Sequence, residues 1–358
     1  MSRWWTALCL AMLACGSARP AAYVRETAQA ESARRRGEHL AAAQHYERAA
    51  EAAAKSRDAE EARYRAADSH ARGGNTERAA TLYRELATQG PNAQRRARAD
   101  FALAELELAA GHEPEGQRLL AAAIRRHPSS GLTARALRAH VAYLREHGGR
   151  DAVLAYLTAE NRALAGSELG EALQYQLARE LDIAGRSAEA RDAYLACAAH
   201  FPYPRGAYWD DALYRAAEKE LALERPERAI AHLRRMLAEQ ESASIVGSYQ
   251  RGRYAEAQLL IAHIHRDSLR DLTRARGELR KVWLNHPKSR LVDDALFQEA
   301  LLAHQSGDVA GTCAPLEIIV SKLQDSRYAP CAHQLCSKLR ALPGRDCHDY
   351  IERETGLR

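Results

Sequence analysis

Four cysteines, Cys313, Cys331, Cys336 and Cys347, fall within the last fifty residues of the chain, with His333 and His348 among them. Thiolate and imidazole together are zinc chemistry. The run Cys331-Ala-His333-Gln-Leu-Cys336 followed by Cys347-His348 lacks the spacing of a compact finger, however, and scatters its ligands round a helix. No metal is therefore assigned. In an oxidising compartment the same thiols form disulfides that hold a fraying chain end. Cys331 and Cys336 lie five apart on one predicted helix and face different ways, which argues against a bond between them. The expected pairing is Cys336 with either Cys313 or Cys347, across neighbouring helices. Cys197 reads as a small buried hydrophobe. His263 and His265, two apart on a helix, point apart and make poor co-ligands.

Other reactive patterns are missing. The sequence contains no Gly-Lys-Ser/Thr phosphate loop, no dinucleotide glycine fingerprint and no His-Glu-x-x-His pair, so no catalytic residue and no cofactor are assigned. Basic runs occur at Arg34 to Arg36, at Arg95, Arg96 and Arg98, and at Arg125 and Arg126. The net charge is only +5 over 358 residues and the runs are interleaved with acids, which describes solvated helix faces rather than a nucleic-acid partner.

The elements that must carry these residues follow a fixed stride. Glycine recurs at Gly37, Gly74, Gly111, Gly148 and Gly185, each 37 residues after the last, and again at Gly307 and Gly344. A period in this range marks a solenoid of stacked repeats. Five residues after each start stands a small residue (Ala42, Ala79, Gly116, Ala190, Ala229, Ala275, Thr312) and nine after stands a large one (Tyr46, Tyr83, Leu120, Leu157, Tyr194, Leu233, Leu279, Leu316). Seven before it the residue is usually alanine, and seventeen after it proline closes the unit at Pro91, Pro128, Pro202 and Pro287. Glycine ends the first helix of a hairpin in a left-handed conformation, small residues admit the neighbouring helix, and proline stops the second helix. In the first unit Leu40, Tyr46 and Ala49 are expected on one buried stripe. Glu224 and Arg270 stand where glycine would, and the step between them is 46 residues, with the surplus near 242–252.

Segments such as Gly74-Asn-Thr-Glu-Arg-Ala-Ala-Thr-Leu-Tyr83 and Gly185-Arg-Ser-Ala-Glu-Ala-Arg-Asp-Ala-Tyr194 resemble the second helix of the tetratricopeptide repeat. The resemblance implies an all-α fold, a right-handed α-solenoid of about nine helical hairpins. It implies binding of proteins or peptide segments in a concave groove. Ten residues before each start lie Tyr64, Phe101, Tyr175, Tyr214, Leu260 and Phe297, a register that the resemblance places near that groove. Beside it the charges alternate in sign (Glu61, Arg98, Arg135, Asp211, Asp294), so the sequence implies no single ligand charge.

At the N-terminus Arg3 precedes an uncharged run from Trp4 to Ala14, long enough for a signal core and too short for a membrane span. It ends in Met12-Leu13-Ala14-Cys15-Gly16, which resembles a bacterial lipoprotein cleavage box with Cys15 as the lipidated residue. Ordinary signal cleavage near Ala18 is the alternative. The expected organisation is a signal at 1–15, a tether at 16–25, repeats at 26–241, a loop at 242–252, and further repeats with a cap at 253–358. The segments around Phe201-Pro202 and His286-Pro287 resemble repeats of outer-membrane assembly lipoproteins and of the Tol–Pal coordinator. The expected protein is a non-catalytic scaffold, lipid-anchored at the periplasmic face of the outer membrane. The rival readings are a soluble cytoplasmic adaptor and an accessory subunit of a cell-wall lytic enzyme.

Overall fold

The computed structural model describes residues 19–239 and 253–356, and every regular element within them is helical. Two compact units are formed: one runs to Val153 and takes in Gly166–Leu169, the other holds Leu154–Ala165 and continues from Gly170. This division falls away from the expected one at 242–252, and that segment, like the signal and Cys15, lies outside the described residues.

In the first unit α1 (Ala21–Arg35), α2 (His39–Ala52), α3 (Ser56–Arg72), α4 (Thr76–Gln89), α5 (Ala93–Ala109) and α6 (Glu113–Arg126) pack each on the next. Because α1 begins at Ala21, the expected tether at 16–25 is corrected: its last five residues are helix. Next comes α7 (Thr133–Ala163), which breaks into two helices at Gly149 (φ 70°, ψ −167°). The second unit continues with α8 (Gly170–Ile183), α9 (Ser187–His200), α10 (Trp209–Ala222), α11 (Pro226–Ala238), α12 (Tyr254–His263), a π-turn at Ile264–Ser268, α13 (Leu272–Asn285), α14 (Val292–Gln305) and α15 (Val309–Lys322). A 3-10 turn at Ala329–Cys331, α16 (Ala332–Leu335) and α17 (Asp349–Thr355) follow.

The stride governs this architecture. Gly37, Gly74, Gly111, Gly185, Gly307 and Gly344 all take positive φ between first and second helices. Glu224 (φ 58°) and Arg270 (φ 55°) adopt the same left-handed backbone without being glycine, a conformation that costs a residue bearing Cβ roughly 1–2 kcal/mol. One assignment slips by a residue: the left-handed position of the fourth unit is Gly149, and Gly148 remains helical. The small positions Ala42, Ala79, Ala190, Ala229 and Ala275 are fully buried. At Gly116 even a methyl group would meet the Leu108 side chain at 2.6 Å. The large positions from Tyr46 to Leu316 are all buried, and they form the core of each hairpin together with Ala30, Ala67, Ala178, Ala217 and Ala300. Each of the four prolines stands two residues beyond the end of a second helix.

The stripe expected in α2 is corrected at Leu40. Tyr46 and Ala49 are buried, but Leu40 is 46% exposed and lies over Gly73. Six residues of helix turn the side chain 240° away from that of Tyr46, so the two cannot share a face.

Within each unit polar contacts join neighbouring hairpins. Arg65 donates to Glu31, Arg95 to Glu60, Lys219 to Asp182, Arg276 to Asp308 and the Ser326 hydroxyl to Asp293, across 32 to 37 residues of sequence. Such spans are about one repeat, as nearest-neighbour stacking requires. At the C-terminal end two disulfides join Cys313 to Cys336 and Cys331 to Cys347. Cys313–Cys336 is one of the two pairings the sequence left open, while Cys347 takes Cys331 instead. The premise of one helix carrying both Cys331 and Cys336 is corrected. Cys331 closes the 3-10 turn, and Cys336 lies past the end of α16 in extended backbone.

Candidate functional site

The register of six expected groove residues lies on the first helix of successive hairpins, and the structure divides it. Phe101 and Phe297 are core residues, 4% and 2% exposed. Tyr64, Tyr175, Tyr214 and Leu260 are half-buried. An aromatic residue here is thus part wall and part floor, and what covers it comes from the following hairpin. The Arg98 guanidinium sits 4.0 Å over the Tyr64 ring and that of Arg253 4.8 Å over Tyr214. Tyr208 stacks on Tyr175 at 4.4 Å, and Tyr328 on Phe297 at 4.2 Å.

Carboxylates at the adjacent register clamp these covers. Asp211 accepts from the Tyr175 hydroxyl and pairs with Arg253. Asp294 accepts from the Tyr328 hydroxyl and from Arg327, each at 2.6 Å. Glu61 pairs with Arg98 at 3.5 Å. Burial, then the hydrogen bond to the carboxylate, raises the pKa of Tyr175 and of Tyr328, so both phenols remain donors. In α2 burial and the Glu31 carboxylate push Tyr46 up to about 12.

The covering residues Tyr208, Arg253 and Tyr328 were not legible as site residues. They follow their rings by 33, 39 and 31 residues, offsets set by uneven connections rather than by the stride. The signal that could have found them is the acidic pair opening the helix in Trp209-Asp210-Asp211 and Val292-Asp293-Asp294.

Between α3, α5 and α7 the covering is incomplete. A groove of about 600 Å³ opens there, lined by Tyr64, Phe101, Leu108, Leu120, Leu132 and Ala136, with Gln94, Arg98, Glu105 and Arg135 at its edge. Leu132 is 40% exposed at its rim, against a general tendency to bury leucine.

Nothing in this arrangement activates a nucleophile. Burial holds the Cys197 thiol up at about 12, and the other described cysteines are disulfide-bonded. His263 Nε2 donates to the Gln298 Oε1 at 2.8 Å, while His265 is buried in the π-turn; the two share no hydrogen-bond partner. Among the described residues no group of three or more His, Cys, Asp or Glu side chains could hold a metal ion. No described helix is long and apolar enough to cross a membrane.

Comparison with known proteins agrees with the hairpin geometry. A tetratricopeptide repeat family model matches residues 61–93, which span most of α3 and all of α4. No curated protein matches the chain. Among solved structures, the C-terminal part of a TPR repeat-containing protein from Cytophaga hutchinsonii is similar at 11% identity, covering 75% of this chain and 98% of its own, with a TM-score of 0.42. A tetratricopeptide repeat protein from Parabacteroides merdae is similar at 12% identity, 76% and 97% coverage and a TM-score of 0.31. The TPR2AB-domain:pHSP90 complex of yeast Sti1 is similar at 13% identity, 76% and 95% coverage and a TM-score of 0.28. The chain carries a tetratricopeptide repeat; overlaps of this size carry nothing about its ligand.

Proposed function

We propose that this protein is a non-catalytic scaffold that holds segments of partner proteins along the first helices of its hairpins. The observation that carries this reading is the open groove between α3, α5 and α7, where Leu132 and the half-buried Tyr64 and Leu108 stay accessible around a floor of Phe101 and Leu120. Grooves of this size with an apolar floor suit an anchored side chain of a partner. A photo-crosslinking amino acid in place of Leu132 is expected to capture discrete partners in cells, and the same probe in place of exposed Arg63 is not. Equal capture at both positions overturns the reading.

The scaffold acts in the bacterial cell envelope, exported by its N-terminal segment and tethered by lipid on Cys15 at the periplasmic face of the outer membrane. Outer-membrane protein assembly and envelope maintenance are the processes that the sequence resemblance supports. Two disulfides accord with an oxidising compartment, where such bonds persist, and they count against the cytoplasmic adaptor. Fractionation tests the tether: the wild type is expected in the membrane fraction and a Cys15→Ser variant in the soluble one. A wild type found in the cytoplasm with reduced thiols refutes both export and anchoring.

A further inference from the structure

The groove between α3, α5 and α7 carries two charged side chains of opposite sign, Arg135 and Glu105, that no described group pairs. In the register of Glu61, Arg98, Arg135, Asp211 and Asp294, four charges are answered within the structure: Glu61 with Arg98, Asp211 with Arg253 and Tyr175, and Asp294 with Arg327 and Tyr328. Arg135 is the exception. It is exposed at the groove edge and has neither an ion pair nor a hydrogen bond among the described residues. The Glu105 side chain, which also lines the groove, is likewise exposed and makes no ion pair or hydrogen bond among the described residues. It follows Arg98 by seven residues on α5, roughly 10 Å along the helix axis. Phe101, buried on the groove floor, lies between them in sequence.

We infer that this groove takes an internal segment of a partner protein in which acidic residues lie immediately to one side of a large apolar side chain. The apolar side chain packs against Tyr64, Leu108 and Leu132 above the Phe101 and Leu120 floor, the acidic residues meet Arg135, and Glu105 repels acid. A guanidinium at the edge of an apolar floor gains from a carboxylate because both charges are partly screened from water there. An extended chain advances ~3.3 Å per residue, so three or four residues span the rise from Arg98, which Arg135 matches in register, to Glu105. The inference rests on the scaffold reading and narrows it to one ligand chemistry.

The test uses the purified full chain and two fluorescein-labelled peptides with both ends blocked, Gly-Asp-Asp-Leu-Phe-Ala-Gly and Gly-Lys-Lys-Leu-Phe-Ala-Gly, read by fluorescence anisotropy. The wild type is expected to bind the aspartate peptide about tenfold more tightly than the lysine peptide. Arg135→Glu is expected to abolish or reverse that preference, with Arg135→Gln intermediate. Both substitutions are at an exposed side chain, and circular dichroism checks that the helices persist. An aspartate peptide with a free C-terminal carboxylate is expected to bind no better than the blocked one; a large gain there overturns the assignment to an internal segment. Equal binding of the charged peptides by wild type and variants overturns the acidic specificity. If cross-linking at Leu132 still captures partners when neither peptide binds, the acidic specificity is lost and the scaffold reading stands. If cross-linking also fails, both are lost.

Discussion

Two stretches of the same ring register behave in opposite ways. At Phe297 the next element supplies Tyr328 as a stacked cover, Arg327 pairs with Asp294 while the Tyr328 hydroxyl donates to it, and the Cys313–Cys336 and Cys331–Cys347 bonds close the layer beyond. At Phe101 the next hairpin supplies Leu132, Ala136 and Ala139, which leave a groove open beside the buried ring, and Arg135, whose side chain finds no carboxylate among the described residues. A repeat position therefore becomes a closed seam or an open site according to what the following hairpin puts across from it.

The largest expected effect breaks the closed side. Replacing both Cys313 and Cys336 by serine removes a bond closing 23 residues of chain, worth about 3 kcal/mol on a loop-entropy estimate. Thermal unfolding is expected to shift down accordingly. Hydrogen exchange should rise in residues 323–356 while protection in residues 56–126 holds; a uniform rise along the chain contradicts the nearest-neighbour picture. Tyr328→Ala is next. It removes the ring stacked on Phe297 and the hydroxyl at Asp294, and about 2 kcal/mol of stability is expected to go with them. Urea unfolding measures the loss, and a change under half that size means that the stacking contributes little.

The smallest effect compares the hairpin turns of the two units. Glu224 holds φ 58° and its side chain makes no ion pair or hydrogen bond among the described residues, so Glu224→Gly is expected to stabilise by about 0.5–1 kcal/mol. Gly37 holds φ 77° with open space where Cβ would stand, so Gly37→Ala is expected to cost about 1 kcal/mol through the backbone alone. Opposite signs in the two melting temperatures are the readout; the same sign for both rejects a shared left-handed turn.

Much of the fold was legible because its determinants are local and repeat. The left-handed turns at Gly37, Gly74 and Gly111, the small residue at Ala42 and Ala79 and the stop before Pro91 each answer to sterics within a few residues. The one-residue slip to Gly149 shows the limit of that argument. Gly148 and Gly149 are equally permissive, and the stride alone chose the wrong one. Leu40 failed for another reason, since hydrophobicity was read without its angle round the helix. The site was far less legible. Tyr64 and Phe101 share a register and a chemical type, yet one is half-buried and the other lies in the core, because burial depends on the neighbour's side chains.

By itself, the order of residues determined a helical chain of hairpins, most of their turns and the small and large side chains that fill their cores. These are consequences of backbone sterics and of burial periodic along one helix, and both act over a few residues. Only tertiary structure decided that Cys331 would pair with Cys347, that Asp211 and Asp294 would be neutralised and that Arg135 would stay bare. Those outcomes depend on which groups come within a few ångströms across connections between elements, from 16 residues of chain at the disulfide to 42 at Asp211 and Arg253, where a shift of a residue or two changes the partner.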